Sequence, residues 1–136
     1  MDGVAIIRAL LQADEQLTAL VPADRIEAAT LGTGTALDAI GLGTVSSVDR
    51  NRFAPSPTAK RHVTERVEVT VMAATYPRKK AILKAVKAAA ADFTGDIAGA
   101  TEVSVLTLGG GPDVTDEQAS IHIGSHDFMV SFNEAR

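Results

Sequence analysis

Three histidines, His62, His122 and His126, are the first residues to weigh for chemistry. His122 and His126 form an H-x-x-x-H pair, a spacing that brings two rings to one metal when it lies on a helix. Here the surrounding run, from Ala119 to Asn133, reads as a strand, in which four residues span about 13 Å. Two rings that far apart do not share a tetrahedral zinc. His126 and Asp127 are adjacent, so a strand sends them to opposite faces. Ser125 beside them does not complete a triad, which needs converging geometry. The chain has no cysteine, so thiolate sites and disulfides are excluded. The glycine-rich run LGTGTALDAIGLG lacks the Gly-Lys-Ser/Thr ending of a phosphate loop, and GGGP at Gly109 to Pro112 reads as a turn. Asp113, Asp116 and Glu117 lack the full ligand series of a calcium loop. No nucleophile, metal cluster or phosphate loop stands out, so these motifs assign no catalytic residue, metal or cofactor, and site chemistry alone does not say what the chain does.

Charge is the second candidate for function. The chain carries a net charge of −4, which argues against a general nucleic-acid binder. Its cations are nevertheless clustered. Arg78, Lys79, Lys80, Lys84 and Lys87 fall between Tyr76 and Ala91 with no acid among them. Arg50, Arg52, Lys60 and Arg61 crowd a second segment, RNRFAPSPTAKR, around Phe53. Each cluster reads either as a solvated surface or as a contact with a neighbouring subunit, an acidic partner or DNA.

The elements that must position these residues follow from periodicity. Val63, Val67, Val69, Val71 and Ala73 alternate with His62, Thr64, Arg66, Glu68 and Thr70, the strongest strand signal in the chain. Glu65 interrupts the apolar face, which predicts that the strand leaves the core there. Pro77 suits the first turn of a following helix. That helix has Ile82, Val86, Ala89 and Phe93 inward, Lys80, Lys84 and Lys87 outward, and Gly95 at its end. A first helix is expected from Asp2 to Gln12, with Asp2 as its cap. A short helix follows from Ala13 to Val21 and stops at Pro22.

Further strands are expected at Arg25 to Thr30, at Asp38 to Asp49 (weakened by Gly41 and Gly43) and at Glu102 to Leu108. Leu31 to Leu37 reads as a loop, Arg50 to Arg61 as a projecting hairpin loop and Gly109 to Gln118 as a mobile connector. The closing strand, Ala119 to Asn133, changes phase. Ile121 and Ile123 are apolar at odd positions, whereas Phe128, Val130 and Phe132 are apolar at even ones. A β-bulge at Gly124-Ser125 would bring all five to one face.

The bulk properties bound the rest. A length of 136 residues with 46% hydrophobic content is one domain, residues 1–136. Aromatic residues make up only 4%, with no Trp, so large core anchors are few and subunit association is a natural source of further burial. There is no signal-like N-terminus and no apolar run of about 20 residues, so neither secretion nor a membrane span is expected. Element order indicates an α+β fold: a mainly antiparallel sheet of about four to five strands, with two main helices packed on one face.

Three segments carry a family resemblance. ALLQADEQLTALVPADRI, RVEVTVMAATYPRKKAILKAVKAAA and HDFMVSF together resemble the small tail-completion, or tail terminator, proteins of long-tailed bacteriophages and phage-like gene transfer particles. The likeness spans nearly the whole chain and is weakest from Leu31 to Arg61. It implies a structural virion protein with a mechanical role, not an enzyme and without a cofactor, that assembles as a ring, of six subunits in this family. The ring caps the head-proximal end of the tail tube, ends its polymerisation and offers a docking surface to the head connector. The implied partners are further copies of the chain, the tail tube protein, a connector or stopper protein and, in passing, DNA in the channel, with no membrane. The implied location is the virion tail and neck, with the host cytoplasm as the place of assembly. On this reading Arg50, Arg52, Phe53, Lys60, Arg61, Arg78, Lys80, Lys84 and Lys87 are candidate interface residues, and the strand from Val63 to Ala74, if at a sheet edge, suits extension across subunits. The alternatives are a head-closure or connector subunit of the same particle, a small-ligand-binding protein or enzyme, and a DNA-binding module built on Arg78 to Lys87.

Overall fold

A computed structural model of the chain describes residues 2–28, 36–50, 60–97, 99–118 and 120–135. Helix α1 spans Gly3–Ala13 and α2 spans Glu15–Leu20. The break between them falls at Asp14, whose carboxylate accepts from the Leu17 N–H, as Asp2 does from Ala5 for α1. Each acid satisfies a donor that the first helical turn leaves open. Strand β1, Ile26–Glu27, leads to β2, Ala39–Arg50, and β3, Lys60–Ala73. Helix α3 spans Tyr76–Ala90. Strands β4, Thr94–Ile97, β5, Ala100–Gly110, β6, Val114–Asp116, and β7, Ile121–Ala135, complete the chain.

The strands form one seven-stranded sheet of order β1-β2-β3-β7-β5-β4, with β6 added beside β7. This corrects the expected four-to-five-stranded, mainly antiparallel sheet with two helices. The sheet is mixed, because β1 runs parallel to β2, and it curls into a half-barrel; among the described residues it is accompanied by three α-helices. The missed strands β4 and β6 have four and three residues, too few for period two to register.

Both long helices cover one face. Val63, Val67, Val69, Val71 and Ala73 of β3 join Phe128, Val130 and Phe132 of β7 in a buried layer. Ile6, Ile7 and Leu11 of α1 and Ile82, Val86 and Ala90 of α3 close it from above. Burying such side chains contributes about 1.5–3 kcal/mol each, before the entropy of ordering them.

Several local expectations are overturned for physical reasons. β3 does not leave the core at Glu65. Its carboxylate is buried and accepts the Gly3 N–H at 3.1 Å. A polar atom on the core face thus caps the start of α1. β3 lies between β2 and β7 and is not an edge. β2 runs unbroken through Gly41 and Gly43, its register shift falling between Thr44 and Ser46. Helix α3 ends at Ala90, before Gly95, which lies in β4 at φ 133°. Gly109 and Gly110 belong to β5, and Asp113 to Gln118 includes β6, so this connector is sheet-bound.

The bulge predicted at Gly124-Ser125 is absent. Val71 pairs with Gly124 and Thr70 with Ser125 in an uninterrupted β3–β7 ladder. The phase change has another cause. A Cβ on Gly124 would stand 2.7 Å from the Leu83 Cδ1 and 3.2 Å from the Lys79 Cδ. Helix α3 therefore sits against bare backbone there, and the core face needs no side chain. Ile123 turns instead to the outer face, level with Met72 and with Val114 of β6.

Candidate functional site

Helix α3 starts at Thr75, whose hydroxyl accepts from the Arg78 N–H. Its first two turns carry most of the basic cluster. The inward stripe begins one turn earlier than the apolar pattern suggests, because Lys79 occupies it ahead of Ile82, Val86 and Ala90. The Lys79 side chain is 0% exposed, while that of Asp113, its partner, is 45% exposed. The Lys79 stem packs under the helix and its ammonium donates to Asp113 at 2.5 Å. Stem and ammonium are both shielded from water, and the Asp113 carboxylate and the Tyr76 ring face the charge in its place.

Asp113 gathers a cluster. Lys80 donates to it at 3.1 Å and the Tyr76 hydroxyl at 3.3 Å. The Tyr76 ring lies 4.5 Å from the Lys79 ammonium and 5.3 Å from that of Lys80, within cation–π range. The rings of His122 and Tyr76 form a T-shaped pair with centroids 6.3 Å apart, and the Thr115 hydroxyl lies 3.4 Å from the His122 Nδ1. Hydrogen bonds from Lys79 and then Lys80 hold the Asp113 carboxyl down to about 2. The bond to Asp113, then that to Tyr76, raises Lys80 above its usual value. These contacts tie β6 and the end of β5 to the start of α3.

Arg78 is engaged separately. It pairs with Asp38 at 2.8 Å and donates to the Leu20 carbonyl at 3.1 Å, joining α3 to α2 and to the entry of β2. Lys84 and Lys87 are exposed farther along the helix. The predicted basic face is therefore uneven. Its first turns are bound to carboxylates of the same chain, and only its later turn is open.

The second basic cluster sits at the far end of the β2–β3 hairpin. Arg50 ends β2 and pairs with His62, and Lys60 and Arg61 begin β3 opposite Ala135 and Glu134. Arg52 and Phe53 lie outside the described residues.

The outer sheet face is uncovered by any described helix. Arg66 donates to the Asp127 carboxylate through Nε at 2.8 Å and Nη2 at 2.6 Å. Beside this pair, Glu68, Ser125, Leu108 and Gly109 to Pro112 line an open cleft of about 280 Å³. Thr64 and Ser131 are bonded across strands at 3.3 Å, as are His62 and Asn133 at 3.0 Å. Asp127 thus points outward, while His126 packs inward on Phe128 at 4.8 Å between ring centroids. Burial lowers the His126 pKa, Lys87 adding to that and Asp127 opposing it. Among the described residues no three His, Cys, Asp or Glu side chains converge on a metal position. None of their helices is long and apolar enough to cross a membrane.

Among the described residues three ionic groups are buried, Glu65, Lys79 and Asp127, and sequence reasoning put the first two on the wrong side. The signal for Lys79 was present, three residues before Ile82 and in phase with it. Charge placed it on the wrong face.

The comparisons with known proteins agree with this architecture. No curated protein matches the chain. A solved structure described as the virion of a native gene transfer agent (GTA) particle contains a chain of similar fold. The TM-score is 0.71, over 97% of this chain and 95% of that one, at 19% identity. The family of the tail completion protein gp17 matches residues 5–132. With nearly its whole length matched, this chain belongs to the tail completion protein gp17 family.

Proposed function

We propose that the chain is a structural component of a phage or phage-like tail that forms a ring, of six copies, at the head-proximal end of the tail tube. The ring ends tube polymerisation and presents a docking surface to the head connector. Its action is mechanical, through contacts between copies and with neighbours, without a reaction or a cofactor. The observation that carries the reading is the family match across residues 5–132. The similar fold in a virion particle supports it. A heterologous contact repeated by rotation closes into a ring, whereas the same contact without closure gives a filament.

The basic residues have defined parts in this reading. Lys84 and Lys87, with Lys80 and Arg78 behind them, face the tube or the connector. Arg50, Lys60 and Arg61, at the end of the β2–β3 hairpin, and Arg52 and Phe53, which follow Arg50 in the sequence, contact a neighbouring copy or partner protein. DNA passing through the channel is a transient neighbour.

Particles assembled without this chain test the proposal by electron microscopy. The expected result is tails of uncontrolled length and heads without tails. Tails of normal length joined to heads would overturn it. Tails of normal length that fail to join heads would instead assign the chain to head closure.

A further inference from the structure

The sheet has two open margins on opposite sides. On one side β1 covers only Ile40 and Gly41 of β2. Among the described residues, nothing pairs with the outer margin of β2 from Leu42 to Arg50. On the other side β4 reaches Ser104 of β5, and the turn before it bonds to Val105. Among the described residues, nothing pairs with Leu106 to Gly110 on that margin. Open strand margins are aggregation hazards that proteins ordinarily blunt with charge or proline. Leu42 to Val48 (LGTVSSV) and Leu106 to Gly110 (LTLGG) contain neither.

Both margins are also apolar at the surface. Val45 and Val48 are 52% and 55% exposed, and Leu106 and Leu108 are 56% and 47% exposed. These are four of the six large exposed apolar side chains among the described residues. The margins stand at one level. Ser46 is opposite Arg66, Arg66 opposite Met129, and Met129 opposite Leu106. Their directions are complementary. β2 is antiparallel to β3, β3 to β7 and β7 to β5, so β2 and β5 run in opposite senses. Copies related by rotation about an axis along the strands would bring β2 of one copy antiparallel to β5 of the next.

We infer that the partner of the β2 margin is a second copy of this chain, which adds the Leu106 to Gly110 segment of its β5 as the next strand. The inference rests on the ring reading and deepens it by naming the contact. Each margin carries a register shift, between Thr44 and Ser46 and between Thr107 and Gly109. The shared ladder is therefore short, and Val45 and Val48 against Leu106 and Leu108 supply the rest. Main-chain bonds give such strand addition its affinity and side chains its specificity.

The absence of native cysteine makes the test direct. Ser46→Cys is combined in one chain with Leu106→Cys or with Leu108→Cys, and rings are oxidised and run on a denaturing gel without reductant. The expected result is a ladder of covalent multimers rising to the ring order, absent when Lys84→Cys replaces the β2 cysteine. Rings seen by native mass spectrometry with no ladder from either pair would overturn the inference and leave the ring reading standing. No rings, in solution or on tails, would overturn both. As a second measurement, Val45→Lys should lower the ring fraction at least tenfold with an unchanged unfolding midpoint. An unchanged ring fraction would count against the contact.

Discussion

The buried ammonium of Lys79 meets the half-exposed carboxylate of Asp113 at 2.5 Å, across the junction between α3 and the β5–β6 connection. Loss of the carboxylate leaves a buried ammonium without its partner, whereas loss of the ammonium leaves a half-exposed carboxylate that Lys80 still contacts. Asp113→Asn should therefore lower the unfolding midpoint more than Lys79→Met, which keeps the packed stem.

The same pair sets an acid limit. The Asp113 carboxyl titrates near 2 in the fold, below its usual 3.8. A depressed carboxylate contributes stability that is present above the unfolded value and is lost as pH falls through the folded one. Thermal melts should show a decline between those two values that is flattened in Asp113→Asn. An identical acid profile in the variant would show that Asp113 is not a source of it.

Glu65 links β3 to the start of α1 through the Gly3 N–H. Glu65→Ala leaves that buried donor without its acceptor, at a cost of about 1–3 kcal/mol. Glu65→Gln retains an acceptor oxygen and should recover most of the loss. Chemical denaturation of the two variants, with equal slopes, measures the difference.

Gly124 is where α3 rests on bare strand. Gly124→Val drives methyls toward Leu83 and Lys79 and should cost about 1–3 kcal/mol, as overpacking does. Gly124→Ala should cost less, because the nearest atom, Leu83 Cδ1, ends a side chain that can shift. Equal stability of all three proteins would show that α3 is not seated as described.

His126 packs against Phe128 and has its pKa lowered, first by burial and then by Lys87. The neutral ring is thus favoured in the fold. Its contribution is complete above the usual 6.5 and declines as pH falls below that value toward the folded one. His126→Leu should remove that decline from stability profiles measured below pH 6.5. A profile as steep as that of the parent would assign the slope to other groups.

Much of the fold is legible along the chain wherever a pattern is long enough to average over. Alternation from Val63 to Ala73 marks a long strand, Ile82 and Val86 mark its covering helix, although Phe93 of the expected stripe lies beyond the helix end at Ala90, and Asp2 announces α1. The resemblance to tail-completion proteins rests on those same segments. Strands of three or four residues have no measurable period, and neither β4 nor β6 separates from a turn by composition alone, whereas β1 falls within the strand expected from Arg25 to Thr30. Face assignment fails at Glu65 and Lys79, because charge predicts solvent, whereas a helix terminus and a distant carboxylate made burial favourable.

The sequence by itself determined the local elements, the apolar layers and the absence of thiol chemistry, since these depend on neighbours in the chain. The tertiary structure decided what depends on residues far apart. It determined that Asp113 returns to Lys79, that α3 presses on Gly124 and removes the need for a bulge, and that β3 is central. It also put the open margins on β2 and β5. Strand order is a property of pairing across tens of residues, and no local period encodes it.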